Sequence, residues 1–179
     1  MIIYKNLNKI KNFKKSVIAI GNFDGIHLGH QKVLKQGYLK AKKNKLNFGV
    51  ITFEPLPVMF FNKKILNYRI NNLDQKIEGL RKLKIDFLII INFNKKFSNL
   101  SYKEFIKKII FQKLNSRFIF ISKNFKFGKN REGDVEKLIY NEPFFTYKTC
   151  VSKALKKANK VLSSSIIRSK IKKGKISQV

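Results

Sequence analysis

The chain contains no tryptophan, one cysteine, two histidines and three prolines in 179 residues. Each shortage removes a class of chemistry. With Cys150 alone there is no internal disulfide, and a reducing, cytoplasmic setting is expected. Cys150 has no histidine near it in sequence, so it reads as a packing residue and not as a nucleophile. Acidic residues are also scarce, ten in all. They form no obvious Ser-His-Asp or paired-carboxylate constellation, and no set of metal ligands is assigned. Long apolar runs are missing. The longest, Phe87 to Ile91, falls far short of the roughly 18 residues a membrane span needs. Met1 to Lys15 is basic but lacks the apolar stretch of a secretory signal. No membrane partner, internal repeat or targeting segment is expected.

Positive charge, by contrast, is plentiful: 40 Lys and Arg against 10 Asp and Glu give a net charge of +30. Such a surface could serve nucleic-acid binding through counterion release. Composition offers a plainer cause. Arginine, the better residue for reading phosphates and bases, stands only at Arg69, Arg81, Arg117, Arg131 and Arg168. Lysine, asparagine, isoleucine and phenylalanine dominate, the set favoured by A+T-rich codons, and the lysines are scattered. Drift therefore outweighs selection for a nucleic-acid partner, and only non-specific polyanion binding at low salt is expected.

Both histidines fall in Gly21-Asn22-Phe23-Asp24-Gly25-Ile26-His27-Leu28-Gly29-His30, which also holds three of the nine glycines. An apolar run, Val17 to Ile20, precedes this stretch, and a helix-like segment, Gln31 to Asn44, follows it. Strand, glycine-rich turn and helix in that order make an anion site from backbone N–H groups and the positive end of the helix. Two imidazoles there can donate hydrogen bonds to a polyphosphate.

Further along, Phe48 to Phe53, Phe87 to Ile91, Phe118 to Ile121 and Phe144 to Val151 read as strands. Helical periods run from an Asn71 cap through Leu83, from a Ser101/Glu104 capping box through Leu114, from Asp134 to Tyr140 and from Ser164 to Lys173. Pro55 and Pro57 break regular structure after the second strand. The alternation predicts an α/β domain, a parallel sheet with helices on both faces, with ligands at the carboxyl ends of the strands.

The ten-residue motif resembles the G-x-F-D-G-x-H-x-G-H signature of nucleotidyltransferases. Thr52-Phe53-Glu54-Pro55-Leu56-Pro57 resembles the T-F-E-P-x-P segment of the bacterial FAD synthetase family, in its FMN adenylyltransferase module. Asn124-Phe125-Lys126-Phe127-Gly128, with Arg131, Gly133 and Asp134, resembles that family's D/N-F-R-F-G-x-x-R-x-G-D segment. Leu162 to Arg168 resembles its I-S-S-T-x-I-R motif. The resemblance implies a Rossmann-like nucleotidyltransferase fold and transfer of AMP from ATP to FMN, giving FAD and pyrophosphate. Mg2+ would travel with ATP, held chiefly by phosphates and water. His27, His30 and Arg168 would be catalytic. Gly21, Asn22, Phe23, Asp24, Gly29, Ser164 and Ser165 would bind ATP, the two serines as helix caps. Phe53, Pro55, Pro57, Phe61, Asn124, Phe127 and Arg131 would bind FMN.

Departures from the family pattern are Ser122 for glycine, Lys126 for arginine and Ser165 for threonine. No P-T-A-N motif of a riboflavin kinase module is present. One adenylyltransferase domain over 1–179, without riboflavin kinase activity, is therefore expected. The alternatives are a basic nucleic-acid-binding protein on the same scaffold and a nucleotidyltransferase with another nucleotide or acceptor.

Overall fold

Strand β2 (Val17–Ile20) is buried at every position, and β3 (Phe48–Glu54) and β4 (Phe87–Asn92) at all but the last. Continuous apolar runs suit strands covered on both faces, as in a parallel sheet. The computed structural model describes residues 1–7, 10, 15–65, 68–153, 155–157 and 160–175. It contains a six-stranded, all-parallel sheet that adds β1 (Ile2–Tyr4), β5 (Phe118–Ser122) and β6 (Lys148–Ser152), in the order β1–β4–β3–β2–β5–β6. Successive side chains point to opposite faces, so the strands feed two cores. Val17, Ala19, Val50, Leu88 and Ile90 pack with Val33, Leu34 and Leu80 from helices α1 (Leu28–Lys43) and α3 (Leu73–Arg81). Ile18, Ile20, Ile51, Ile89 and Ile119 pack on the other face with Phe105, Ile106, Ile109 and Ile110. These four belong to helix α5, which opens at Tyr102–Glu104 and continues as wider π-helical turns through Phe105–Leu114.

The chain passes from β2 through α1 to β3 on one side, and β5 returns to the other side of β2. The order reverses there, and the crevice at the carboxyl ends of β2 and β5 is where such sheets place ligands. The expected α/β class with helices on both faces is what the structure has.

Several elements differ from the sequence reading. β1 lies in the stretch read only as basic, since three residues are too few for a periodic signal. Pro57 opens a short helix, α2 (Pro57–Phe61), a use of proline at the first helical position. Lys95–Ser98 forms a one-turn helix, α4, capped by Asn94. The strand expected from Phe144 begins only at Lys148. Before it, α6 (Val135–Tyr140) is followed by α7 (Glu142–Phe145), where Pro143 again sits in the first turn. The cap of α3 is Asn72, not Asn71, in a reciprocal capping box with Gln75. A two-stranded antiparallel ribbon, β7 (Lys156–Lys157) and β8 (Lys160–Val161), leads into the closing helix α8 (Ser164–Lys172).

Gly49 and Phe87 lie side by side in β3 and β4, and a Cβ at Gly49 would come within 2.1 Å of the Phe87 ring. Phe87 is fully buried and cannot retreat. Gly49→Ala is expected to destabilise the fold by about 1–3 kcal/mol, read as a lower urea midpoint with the native far-UV spectrum retained.

Candidate functional site

The turn joining β2 to α1 is strained. Phe23 and Ile26 take φ of 46° and 39°, and Gly25 takes 81°. Left-handed backbone is rare for a bulky aromatic and rarer for a β-branched residue, and it persists only where the surroundings enforce it. Here they do. The Phe23 ring is buried, lying 3.3 Å from a Cβ built on Gly21. Ile26 Cδ1 lies 2.5 Å from where a Cβ on Gly79 of α3 would be. Thr52 Oγ1 donates to the Asn22 carbonyl at 3.0 Å, tying the turn to the end of β3.

Asp24 anchors this turn. Its carboxylate is buried. Oδ1 accepts from the amides of Ile70 and Asn71 at 3.0 and 3.3 Å. Oδ2 accepts from Arg168 Nη2 at 3.1 Å, and the Asp24 carbonyl accepts from Ser164 Oγ at 2.9 Å. Ser164 and Arg168 are one turn apart on α8, so that helix grips Asp24 twice. Arg168 also donates Nε–H to the Tyr68 carbonyl at 2.9 Å and lies 3.9 Å over the Tyr68 ring.

Two of the N–H groups of Arg168 are thus already committed within the protein. One expectation is revised. The helix cap is Ser163, whose Oγ accepts from the Ile166 amide at 3.4 Å. Ser164 and Ser165 are instead the first helical residues.

His27 caps α1: its Nδ1 accepts from the His30 amide at 3.4 Å. The Gln31 amide bonds the His27 carbonyl at 3.0 Å. The amides of Leu28 and Gly29 are left without an intrahelical acceptor, at the positive end of the helix. Gly29 allows the close approach. A Cβ there would meet the His27 ring at 3.0 Å and the Leu162 carbonyl at 3.3 Å. The two imidazoles stack at 3.7 Å with 21° between planes, and the Phe23 ring meets His30 edge-on at 5.4 Å. Burial lowers the His27 pKa. Asp24 opposes that shift and Arg168 adds to it. Burial, with smaller contributions from His27 and Lys76, pushes His30 down to about 3. Near neutral pH His30 is an uncharged donor–acceptor.

The residues expected to face a flavin lie at the ends of β3 and β5. Pro55 and Pro57 flank the start of α2 and are half-buried, while Phe61 at its end is 70% exposed. Phe53 is buried. It belongs to a row of packed rings running Phe61, Phe60, Phe93, Phe53, Phe97, Phe105 and Phe127, with neighbouring centroids 5.1–6.2 Å apart. Phe127, also buried, pairs through its backbone with Gly133 and packs on Phe125. Phe53 and Phe127 are thus buried members of this row, whereas Asn124 and Arg131 are exposed, Arg131 with φ 60°. Lys126, standing where an arginine was expected, pairs with Asp134 at 3.2 Å, and Asp134 caps α6. Hydrogen bonds from the Lys137 amide and Lys126 lower the Asp134 pKa.

Sequence reasoning missed Tyr68, Arg69 and Lys76, and with them Phe93 and Phe97. Arg69 forms an ion pair with Glu54, and Lys76 is almost wholly buried. No periodicity marks Tyr68 and Arg69. Lys76 sits on the apolar face of α3, one turn before Leu80, and that register was the available signal.

The sequence model of FAD synthetase matches residues 9–166. The chain belongs to the FAD synthetase family. Its similarity to bifunctional riboflavin kinase/FMN adenylyltransferase of Buchnera aphidicola from Schizaphis graminum is 40% identity over 96% of this chain and 54% of that protein. The same-named protein of Buchnera aphidicola from Acyrthosiphon pisum is 38% identical over 98% of this chain and 56% of the relative. That of Bacillus subtilis is 34% identical over 90% and 51%. The chain spans about half the length of these FAD synthetase relatives. Among solved structures, a Streptococcus pneumoniae protein named a macrolide-efflux protein matches with TM-score 0.81 and 25% identity, over 95% of this chain and 56% of that one. A pantoate-beta-alanine ligase from Francisella tularensis matches with TM-score 0.61 and 18% identity, over the whole of this chain and 78% of that one, and shows the fold alone. Among the described residues no helix is long and apolar enough to cross a membrane.

The depressed His30 pKa has a signed consequence. Between about 6.5 and about 3 the unfolded chain binds a proton at this position that the folded FAD synthetase domain does not. Stability from His30 is therefore complete above about 6.5 and is lost as pH falls toward 3. NMR of the imidazole signals should show His30 unprotonated at pH 5, and His30→Gln should flatten the acid limb of the stability curve.

Proposed function

We propose that this chain is an FMN adenylyltransferase, moving AMP from ATP to the phosphate of FMN, with residues 1–179 forming one such domain. The supporting observation is the pair of stacked imidazoles beside the free Leu28 and Gly29 amides at the start of α1. This gathers several N–H donors beside Asp24, whose carboxylate oxygens already have partners. Relatives named for this activity support the same reading.

An oxygen of the FMN phosphate attacks the α-phosphorus of ATP. The P–O bond to the β-phosphate breaks, and pyrophosphate leaves with the electron pair. The attacking oxygen is already anionic, so no strong base is needed; positioning and stabilisation of charge carry the rate. The Leu28 and Gly29 amides and the imidazole N–H groups of His27 and His30 donate to the triphosphate. Each neutral ring keeps one N–H and so remains a donor at physiological pH. Ser164 and Arg168 secure Asp24 and so the shape of the turn, while the remaining N–H groups of Arg168 and the N-terminus of α8 stay available to phosphate oxygens.

Mg2+ enters with ATP as part of the substrate and neutralises phosphate charge. No cluster of three or more His, Cys, Asp or Glu among the described residues could hold it, and Asp24 is fully engaged. The donor set therefore fits an ion carried by phosphates and water. On the acceptor side, Pro55, Pro57 and exposed Phe61 offer flat apolar walls to an isoalloxazine, joined through Phe61 to the row that holds Phe53 and Phe127. Asn124 and Arg131 supply polar contacts at the rim.

ATP, FMN and Mg2+ should yield FAD and pyrophosphate, followed chromatographically; absence of FAD with stoichiometric protein would refute the proposal. His27→Ala and His30→Ala should each lower kcat by about 100- to 1000-fold, as loss of one donor to developing charge typically does. Phe61→Ala should raise KM for FMN with little change in KM for ATP, read from initial rates.

A further inference from the structure

Four consecutive residues ahead of α3, Tyr68 to Asn71, meet three partners. Tyr68 meets Arg168, Arg69 pairs with Glu54, and the amides of Ile70 and Asn71 hold Asp24. The backbone that follows Tyr68 is therefore pinned to the strained turn and to the end of β3, whatever side chain stands at position 68. The Tyr68 side chain adds a contact of its own. The guanidinium carbon of Arg168 lies over its ring, 3.9 Å from the centroid. An arginine carries five N–H groups in one plane. Here Nε–H goes to the Tyr68 carbonyl at 2.9 Å and one N–H of Nη2 to Asp24 at 3.1 Å. Among the described residues the other three, both on Nη1 and one on Nη2, take no partner. Where those three point depends on the plane of the guanidinium.

Two hydrogen bonds fix where the group sits but leave it free to tilt about the line joining their acceptors. A ring over one face removes that freedom, because the cation is drawn to the negative face of the π system and water is kept from that side. An aromatic ring is also the partner that orients a guanidinium without consuming a donor. A carboxylate or carbonyl in its place would occupy an N–H group, and a second carboxylate would cancel the charge. We propose that Tyr68 is a positioning residue whose ring sets the plane of the Arg168 guanidinium and so aims its three uncommitted N–H groups at phosphate oxygens of the nucleotide. Asp24 and the Tyr68 carbonyl supply the anchor, and the ring supplies the direction. Tyr68 touches no substrate; it acts through Arg168.

The value of this arrangement to catalysis rests on the adenylyltransferase reading, but the stack itself can be measured without turnover. The chain has five arginines, so nitrogen-15 NMR shows five side-chain Nε–H signals, and Arg168→Lys identifies that of Arg168 by its loss. In the wild type this signal should be shifted upfield by the Tyr68 ring. Tyr68→Leu keeps the backbone carbonyl and removes the ring, and should abolish the shift. Tyr68→Phe should preserve it. If Tyr68→Leu does not fold, Tyr68→Met gives the same comparison. In turnover, Tyr68→Leu should lose about tenfold in kcat, of the order that a desolvated cation–π contact supplies, with KM for FMN unchanged, and Tyr68→Phe should restore the wild-type value. Added to Arg168→Lys, which already lacks the planar guanidinium, Tyr68→Leu should cost nothing further. A wild-type Arg168 signal without the ring shift, an unchanged kcat in Tyr68→Leu, a loss that phenylalanine does not rescue, or losses that multiply in the double variant would overturn the proposal. A wild type that makes no FAD would sink the adenylyltransferase reading, and the NMR comparison would still decide whether the ring orients Arg168.

Discussion

A single buried carboxylate holds the site together. Asp24 receives two backbone amides from the segment ahead of α3 and a guanidinium from α8, while its own carbonyl receives a serine hydroxyl from the same helix. Three stretches of chain that share no secondary structure meet at one residue. Charge-assisted hydrogen bonds are stronger than neutral ones, and burial strengthens them further as long as every lone pair is used. Removing any partner would leave charge unmatched inside the protein, so the arrangement tends to be kept whole or lost whole.

The strain in the turn makes sense against that anchor. Left-handed Phe23 and Ile26 cost free energy, of order 1–3 kcal/mol each. The Phe23 ring against Gly21, Ile26 against Gly79 and the fixed Asp24 repay it. What the strain achieves is direction. The turn delivers His27 as a helix cap, and one further turn of helix lays His30 against it. The turn leaves β2, which is buried at every position, and is tied to β3, buried at all but its last, so it starts from packed core.

The fold was legible because its signals are periodic or punctuated. Buried runs such as Val17 to Ile20 and Phe87 to Ile91 have no polar face to confuse, and the Ser101/Glu104 box marks α5 by local chemistry. Elements of three to five residues, β1, α2, α4 and α7, are decided by what they pack on, and short windows carry too little pattern to show that. In the site, the glycine-rich turn was legible because glycines and histidines are rare in this chain. Which donors of Arg168 remain free was not, since Tyr68 and Asp24 lie 100 and 144 residues away from it. Ser163 and Ser164 could not be told apart as cap and first helical residue, because both are serines and the choice rests on one residue of register. Lys76 was passed over because a lysine within a helical pattern is usually on the solvent side.

The link between Asp24 and Arg168 spans nearly the full sequence. A nascent polypeptide leaves the ribosome N-terminus first, so the strained turn after β2 is made long before the helix that locks it. Contacts of such high sequence separation form late and slow the overall folding rate. The sheet can assemble around β2, β3 and β4 while Phe23 and Ile26 still relax into easier backbone states. Competence to bind a nucleotide would then emerge only when α8 docks, well after the turn that it closes has been made.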